Sequence, residues 1–206
     1  MLTVFGASAL TFMMLLSVAI APDAGLYRGQ APNGLAEIKA MFGDPANSDG
    51  ALNEAWESAN IQKVAPPAGW ILYYQSDEGL VQVSGIRIHR LLATSLVAVL
   101  ADIWAFAGAN LGAGASTAQI QTWLHQRGLD QHGGGFNFRK ITGGQGLSLH
   151  SFGIAIDWDP ENNPRQKPLT KRLPDWWYEI WEKHGWSDGR LFTTPDPMHV
   201  QFATGA

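Results

Sequence analysis

The chain has no cysteine among its 206 residues. Disulfides and thiolate metal sites are therefore excluded, and any metal must rest on His, Asp or Glu. Charge is scarce too: 16% of residues are charged, the formal net charge is −4, and no run of lysine and arginine occurs. Nucleic acid has no electrostatic footprint to bind. The Gly-x-x-x-x-Gly-Lys-Ser/Thr phosphate loop is missing, and so is the Gly-x-Ser-x-Gly elbow of a serine nucleophile. No Lys or Arg precedes the first apolar run, so the basic start of a secretory signal is lacking.

What is present is apolar and aromatic. Hydrophobic residues make up 46% and tryptophans number nine, ample for the core of one domain with an N-terminal appendage. The appendage is Leu2 to Ala21, uncharged throughout and long enough to cross a bilayer, though Thr3, Gly6, Ser8, Thr11 and Ser17 dilute it. Two readings stand for it: a membrane or signal-anchor segment, or a helix packed on the domain. Pro22 to Pro32 reads as a linker, which sets the boundaries at residues 1–32 and 33–206.

Periodicity and punctuation give the remaining elements. Asn33 and Gly43 bracket a helix over Gly34–Phe42, and Leu52–Ala59 predicts a second. Trp70–Tyr74 and Leu80–Val83 read as strands. Ile86–Phe106 gives the longest helical pattern, with Leu92, Leu96, Val99, Leu100 and Ile103 on one face. It reads as a core helix rather than a membrane span, and His89 as a surface residue near its start. Ser116-Thr-Ala-Gln119 has capping-box spacing for a helix to Arg127. Asp175 predicts a cap for Trp176–His184, with Trp177 and Trp181 facing the core. His125 and His132 have no ligand-spaced partner; His132 is expected nearer the cleft. Asp159 and Glu161 read as a solvated turn.

The chemistry concentrates in Ser148-Leu-His150-Ser-Phe-Gly153-Ile-Ala-Ile-Asp157-Trp158 and in Asp196-Pro-Met-His199. A carboxylate closing an apolar strand, as Asp157 does after Ile154–Ile156, is costly to bury without a cationic partner. His150, Asp157 and His199 supply the three protein ligands of an open zinc site, and Asp196 is a spare carboxylate able to serve as base and acid. The competing reading is a buried His150–Asp157 pair with His199 packed nearby.

The pattern Ser148-x-His150-x-x-Gly153-x-Ala155-x-Asp157, followed by Asp196-x-x-His199, resembles the zinc D-Ala-D-Ala carboxypeptidase and L-alanyl-D-glutamate endopeptidase family, which includes phage endolysins. The resemblance is clearest over residues 136–202 and weaker over residues 33–45. It implies an α+β, hedgehog/DD-peptidase-like fold, in which a small antiparallel sheet surrounded by helices carries Zn2+. It also implies a monomeric zinc peptidase that hydrolyses an amide bond in the peptidoglycan stem peptide, in phage or prophage wall lysis. Such an enzyme would act in the periplasm or outside the cell, with membrane contact through residues 2–21 if that segment is an anchor.

Arg139 matches the position of the family's substrate-binding arginine, where it could also steady the oxyanion, and Ser148 is expected to hydrogen-bond substrate. Many relatives end in His-x-Glu where this chain has His199-Val-Gln201, which places Gln201 in substrate positioning. Removal of a terminal D-Ala and an internal cut remain equal alternatives at this point. A wall-binding module that keeps the fold without catalysis is the rival, and it predicts a lost ligand or base. All four positions are present.

Overall fold

The computed structural model describes residues 30–204; the Leu2–Ala21 segment and most of the linker lie outside the described residues. Chain order is α1 (Gly34–Phe42), α2 (Glu54–Asn60), β1 (Ile61–Val64), β2 (Leu72–Ser76), β3 (Gly79–Val83), β4 (Ile86–His89), α3 (Ala93–Leu111), α4 (Thr117–His125), β5 (Gln131–Gly134), β6 (Ala155–Trp158), α5 (Asp175–Lys183), β7 (Ser187–Gly189) and β8 (Asp196–Gln201). The α+β class is as expected. The principal sheet is larger than expected and mixed. Its six strands run β3-β2-β5-β6-β8-β7, beside a two-stranded β1-β4 ribbon. β2 and β5 pair in parallel, because the chain between them crosses back through α3 and α4, as a parallel pair requires.

One departure has a simple cause. The helical pattern read from Ile86 begins as strand: Ile86 and Ile88 are buried while Arg87 between them is exposed, a period of two. β4 pairs with β1 from Ile61↔His89 to Val64↔Ile86. His89 is thus buried rather than superficial. Its Nδ1 accepts from the Leu91 amide at the head of the 3-10 turn Arg90–Leu92. α3 then follows, burying Leu96, Val99, Leu100, Ile103 and Ala107. Each such side chain contributes roughly 1.5–3 kcal/mol by leaving water. The helix is long and apolar enough to cross a membrane, yet this face belongs to the core shared with the sheet.

Behind β6 and β8 lies an aromatic layer. Trp158 meets Trp177 edge-on at 5.9 Å, and Trp181 meets Trp186 edge-on at 5.0 Å, arrangements that ring quadrupoles favour. The α5 pair Trp177 and Trp181 is buried as its spacing predicts. Asp175 heads that helix without a side-chain capping bond; Lys171 and Arg190 hold its carboxylate instead. His132 packs edge-on against Tyr74 and Trp158, on the core side rather than at the cleft. Asp159 is no solvated turn: it is fully buried and meets Gln75, Asn162 and Arg172. The two ends of the described chain are tied together, with the Thr204 amide donating to Pro32 and the Gly34 amide to Thr204.

The 3-10 turn Leu149–Phe152 enters β6 through Gly153, whose φ of +66° is left-handed. A Cβ there would lie 2.8 Å from the His89 backbone nitrogen and 2.7 Å from Ile61 Cδ1. Left-handed backbone costs a non-glycine residue about 1–2 kcal/mol before any clash is counted. Gly153→Ala should therefore lower the unfolding free energy by about 2 kcal/mol or more. Urea denaturation checks this, and a loss below about 0.5 kcal/mol would mean that the turn is not so constrained.

Candidate metal centre and cleft

Strand register brings two of the three candidate ligands together. β6 and β8 are antiparallel with Asp157 directly opposite His199, so both side chains leave the same face. The alternation that sends them out sends Ile156, Trp158 and Val200 into the core. His150 arrives from the 3-10 turn. Ser148 starts that turn, its hydroxyl oxygen accepting from the His150 amide at 3.4 Å.

The three groups are close. His150 Nε2 lies 3.3 Å from His199 Nδ1 and 3.2 Å from Asp157 Oδ2, and His199 Nδ1 lies 2.9 Å from Asp157 Oδ1. Ligands at about 2.0–2.1 Å in a tetrahedral zinc site are about 3.3 Å apart, so these separations fit.

Hydrogen bonds on the far side of each ring decide which nitrogens face inward. His150 Nδ1 sits 2.8 Å from the Gly135 carbonyl and must donate to it, which leaves the lone pair on Nε2. Gln201 donates its amide N–H to the Ala203 carbonyl, so its Oε1 faces His199 Nε2 at 3.0 Å and accepts from it. The His199 lone pair therefore resides on Nδ1. Two imidazole lone pairs and a carboxylate converge on one point, with both tautomers set by outer partners, as metal-binding histidines require. Chemically the donor set suits a divalent ion; among the described residues it is the cluster able to hold one.

The electrostatics agree. Burial alone would raise the Asp157 pKa, but hydrogen bonds from His150 and His199 hold it far below the carboxylate range. Burial alone would lower His199, but the hydrogen bond and charge of Asp157, with help from Asp196, raise it above the usual imidazole value. Asp196 goes the other way. Its burial, with the Asp157 charge, raises its pKa against the opposing pull of His199 and Arg165. Its Oδ1 is buried without a hydrogen-bond partner, while Arg165 approaches the other oxygen at 3.9 Å.

A cleft of about 490 Å³ opens over this group, lined among others by Arg139, Ile141, Ser148, Arg165 and Phe192, with Leu35 and Ile38 of α1 as a further wall. Arg139 is exposed at its edge, and no carboxylate among the described residues pairs with it. The Ser148 hydroxyl keeps its proton for a guest. Gln201 lines the cleft, and its amide also meets His199 and the Ala203 carbonyl, so it orients His199.

Three contributors escaped the sequence reading. The Gly135 carbonyl holds His150, and a Cβ at Gly135 would fall 2.2 Å from the Arg87 oxygen. Ser151, fully buried, accepts from the Arg139 amide at 2.9 Å and donates to the Arg139 carbonyl at 2.7 Å, pinning that arginine to the His150 turn. Arg165 Nε stands 3.9 Å from Asp196 Oδ2. A residue acting through its carbonyl leaves no mark of its type, and a serine or arginine in a loop has too many other uses.

Residues 142–202 match a family model described as D-alanyl-D-alanine carboxypeptidase, in line with the motif resemblance. No curated protein and no solved structure matches the chain. The matched segment contains His150, Asp157, Asp196 and His199 and begins just after Arg139; it supports a peptidoglycan-related peptidase.

Two outcomes are expected. In the metal-free protein the raised His199 adds stability that is full below about pH 6.5 and is lost as pH rises through its folded pKa. The depressed Asp157 adds stability present above about pH 3.9 and lost only as pH falls through its folded pKa. The pair thus helps most between those limits. An incoming dication must displace the His199 proton, so zinc affinity should rise about tenfold per pH unit below that pKa. Competition with a chromophoric chelator from about pH 5.5 to 8 measures it, and a flat profile would exclude His199 as ligand. Gln201→Ala should weaken zinc binding about 10–100-fold in the same assay while leaving all three ligands in place.

Proposed function

We propose that the protein is a zinc-dependent peptidase that hydrolyses an amide bond in bacterial peptidoglycan stem peptides, acting in phage or prophage wall lysis. The observation that carries this reading is the convergence of two inward imidazole lone pairs and the Asp157 carboxylate beneath an open cleft. His150, Asp157 and His199 would hold the ion. When bound, zinc would supply a source of hydroxide near neutral pH and a Lewis acid for the scissile carbonyl.

The remaining work falls to this chain's own side chains. Asp196 takes the proton released as water adds to the carbonyl carbon, and returns it to the nitrogen of the leaving amine as the C–N bond breaks. Its raised pKa suits both halves, since an ordinary aspartate at about 3.9 is too weak a base and too reluctant a proton carrier near neutral pH. Arg139, whose guanidinium meets the Lys140 carbonyl and no carboxylate among the described residues, offers its fork to a substrate carboxylate, and Ser151 fixes its backbone beside the His150 turn. Ser148 can donate its hydroxyl to a peptide carbonyl. The unpartnered Asp196 oxygen weighs against a wall-binding module without catalysis, because a buried carboxylate is costly to retain without a use.

Mass spectrometry of peptidoglycan fragments after incubation, with zinc and with chelator, tests the proposal. Zinc-dependent cleavage is expected. Asp196→Ala should lower kcat by about 10²–10⁴ while metal content, read by plasma mass spectrometry, stays at wild-type level. His199→Ala should lose both. The acid limb of the rate profile should lie above the ordinary carboxylate range, because Asp196 must be deprotonated to act. Intact peptides after incubation with folded, zinc-loaded protein would overturn the reading.

A further inference from the structure

Arg87 binds Glu57, Arg172 binds Asp159, and Arg190 binds Asp188, Asp175 and Glu182, while Arg90 meets Asn60 and Arg127 lies over Trp123. Neither arginine that lines the cleft hydrogen-bonds a carboxylate. Arg139 has no acidic partner, and Arg165 Nε is 3.9 Å from Asp196 Oδ2, beyond hydrogen-bond length. Arg165 is nevertheless placed, not loose. The next residue, Gln166, donates its amide to the Pro195 carbonyl at 3.0 Å, which fastens this loop to the strand that carries Asp196.

Arg165 also marks where the cleft continues. A second space of about 750 Å³ meets the first at Arg165, Phe192 and Gln201. Arg139 lines the first space and not the second. The hydroxyls of Thr193, Thr194 and Ser187 line the second space together with Leu191, which is 94% exposed. Spaces of this size hold ligands of several residues, and hydroxyls with an apolar edge suit a peptide backbone. A terminal-residue pocket would end at the guanidinium that reads the terminal carboxylate. Here Arg139, the His150–Asp157–His199 group and Arg165 line the first space, and Arg165 without Arg139 lines the second.

Resting on the peptidase reading above, we propose that Arg165 is a specificity residue. It binds a carboxylate within the peptide chain, on the side of the metal group away from Arg139, so that the enzyme cuts an internal bond of an acidic peptide. Two fixed cations then hold the substrate across the reacting atoms, one on each side. A guanidinium fork takes a carboxylate in two parallel hydrogen bonds, which an amide of the same shape cannot reproduce.

The test pairs a synthetic stem pentapeptide whose internal carboxylate is free with the same peptide carrying an amide there. Both are given to zinc-loaded wild type, Arg165→Ala and Arg165→Lys. Wild type should prefer the free acid by about tenfold in kcat/KM, mostly through KM. Arg165→Ala should treat the two peptides alike, Arg165→Lys should fall between, and mass spectrometry should find the cut inside the chain. Calorimetric affinities of the two peptides for metal-chelated protein give the same comparison without turnover. If Arg165→Ala lowers both peptides equally, or if only the terminal residue is released, the inference fails while zinc-dependent cleavage keeps the peptidase reading. If wild type cuts neither peptide, the peptidase reading and the proposed cut fall together. The affinity difference then shows only whether Arg165 reads the carboxylate.

Discussion

Three electron-rich groups held about 3 Å apart in a poorly hydrated floor repel one another unless a cation sits among them. That constraint governs the catalytic face. In the metal-free chain protonation of His199 would meet it, and the neighbouring Asp157 carboxylate favours that form by raising the His199 pKa. A dication meets it better, since both imidazoles then present lone pairs whose direction is already set. The far-side partners, the Gly135 carbonyl and the Gln201 amide, are what convert a buried salt bridge into a coordination site. Without them either ring could turn its N–H inward.

The scaffold holds this arrangement through register. Asp157 opposite His199 is a property of the β6–β8 pairing, and a slip by one residue would send Val200 or Ile156 into the cleft and a ligand into the core. Trp158, Trp177, Trp181 and Trp186 resist that slip, because their edge-to-face packing leaves no room behind the sheet for a charged side chain. The His150 turn is fixed independently, by Gly153 against β4 and by the Ser151 bonds to Arg139. Two separately fixed pieces therefore meet at the His150–Asp157–His199 group, and the Arg139 backbone is tied to the His150 piece.

Much of this was legible because the chemistry lies in short-range patterns. His150, Asp157 and His199 occupy a motif whose spacing encodes a turn, a strand and a partner strand; α4 announces itself by its capping box, and α1 and α5 by their apolar faces and the glycines that follow them. β4 was not legible as strand: Ile86-Arg-Ile-His89 is too short to distinguish a period of two from the start of the helix that follows it. β1 was missed with it, since Ile61–Val64 alternates only in the presence of its partner. The parallel β2–β5 pair depends on a contact between residues 73–74 and 131–132 that no local pattern reports. Gln201 was read by type as a substrate group, and only its geometry shows that its amide also orients His199.

The amide at position 201 also affects the electrostatics of the cleft. A glutamate there would give His199 a stronger acceptor, but it would add a third carboxylate beside Asp157 and Asp196. With Gln201 neutral, a bound dication balances those two carboxylates, and the charges left over at the surface are the guanidiniums of Arg139 and Arg165. On the proposed function the cleft would then be cationic on a protein whose net charge is −4, which would favour an acidic peptide there. A neutral outer partner donates less electron density through the ring than a carboxylate would, so an ion held there would be a stronger Lewis acid. On the proposed function, Gln201 in place of the Glu of many relatives would thus favour both an anionic substrate and carbonyl polarisation, in exchange for some hold on the metal.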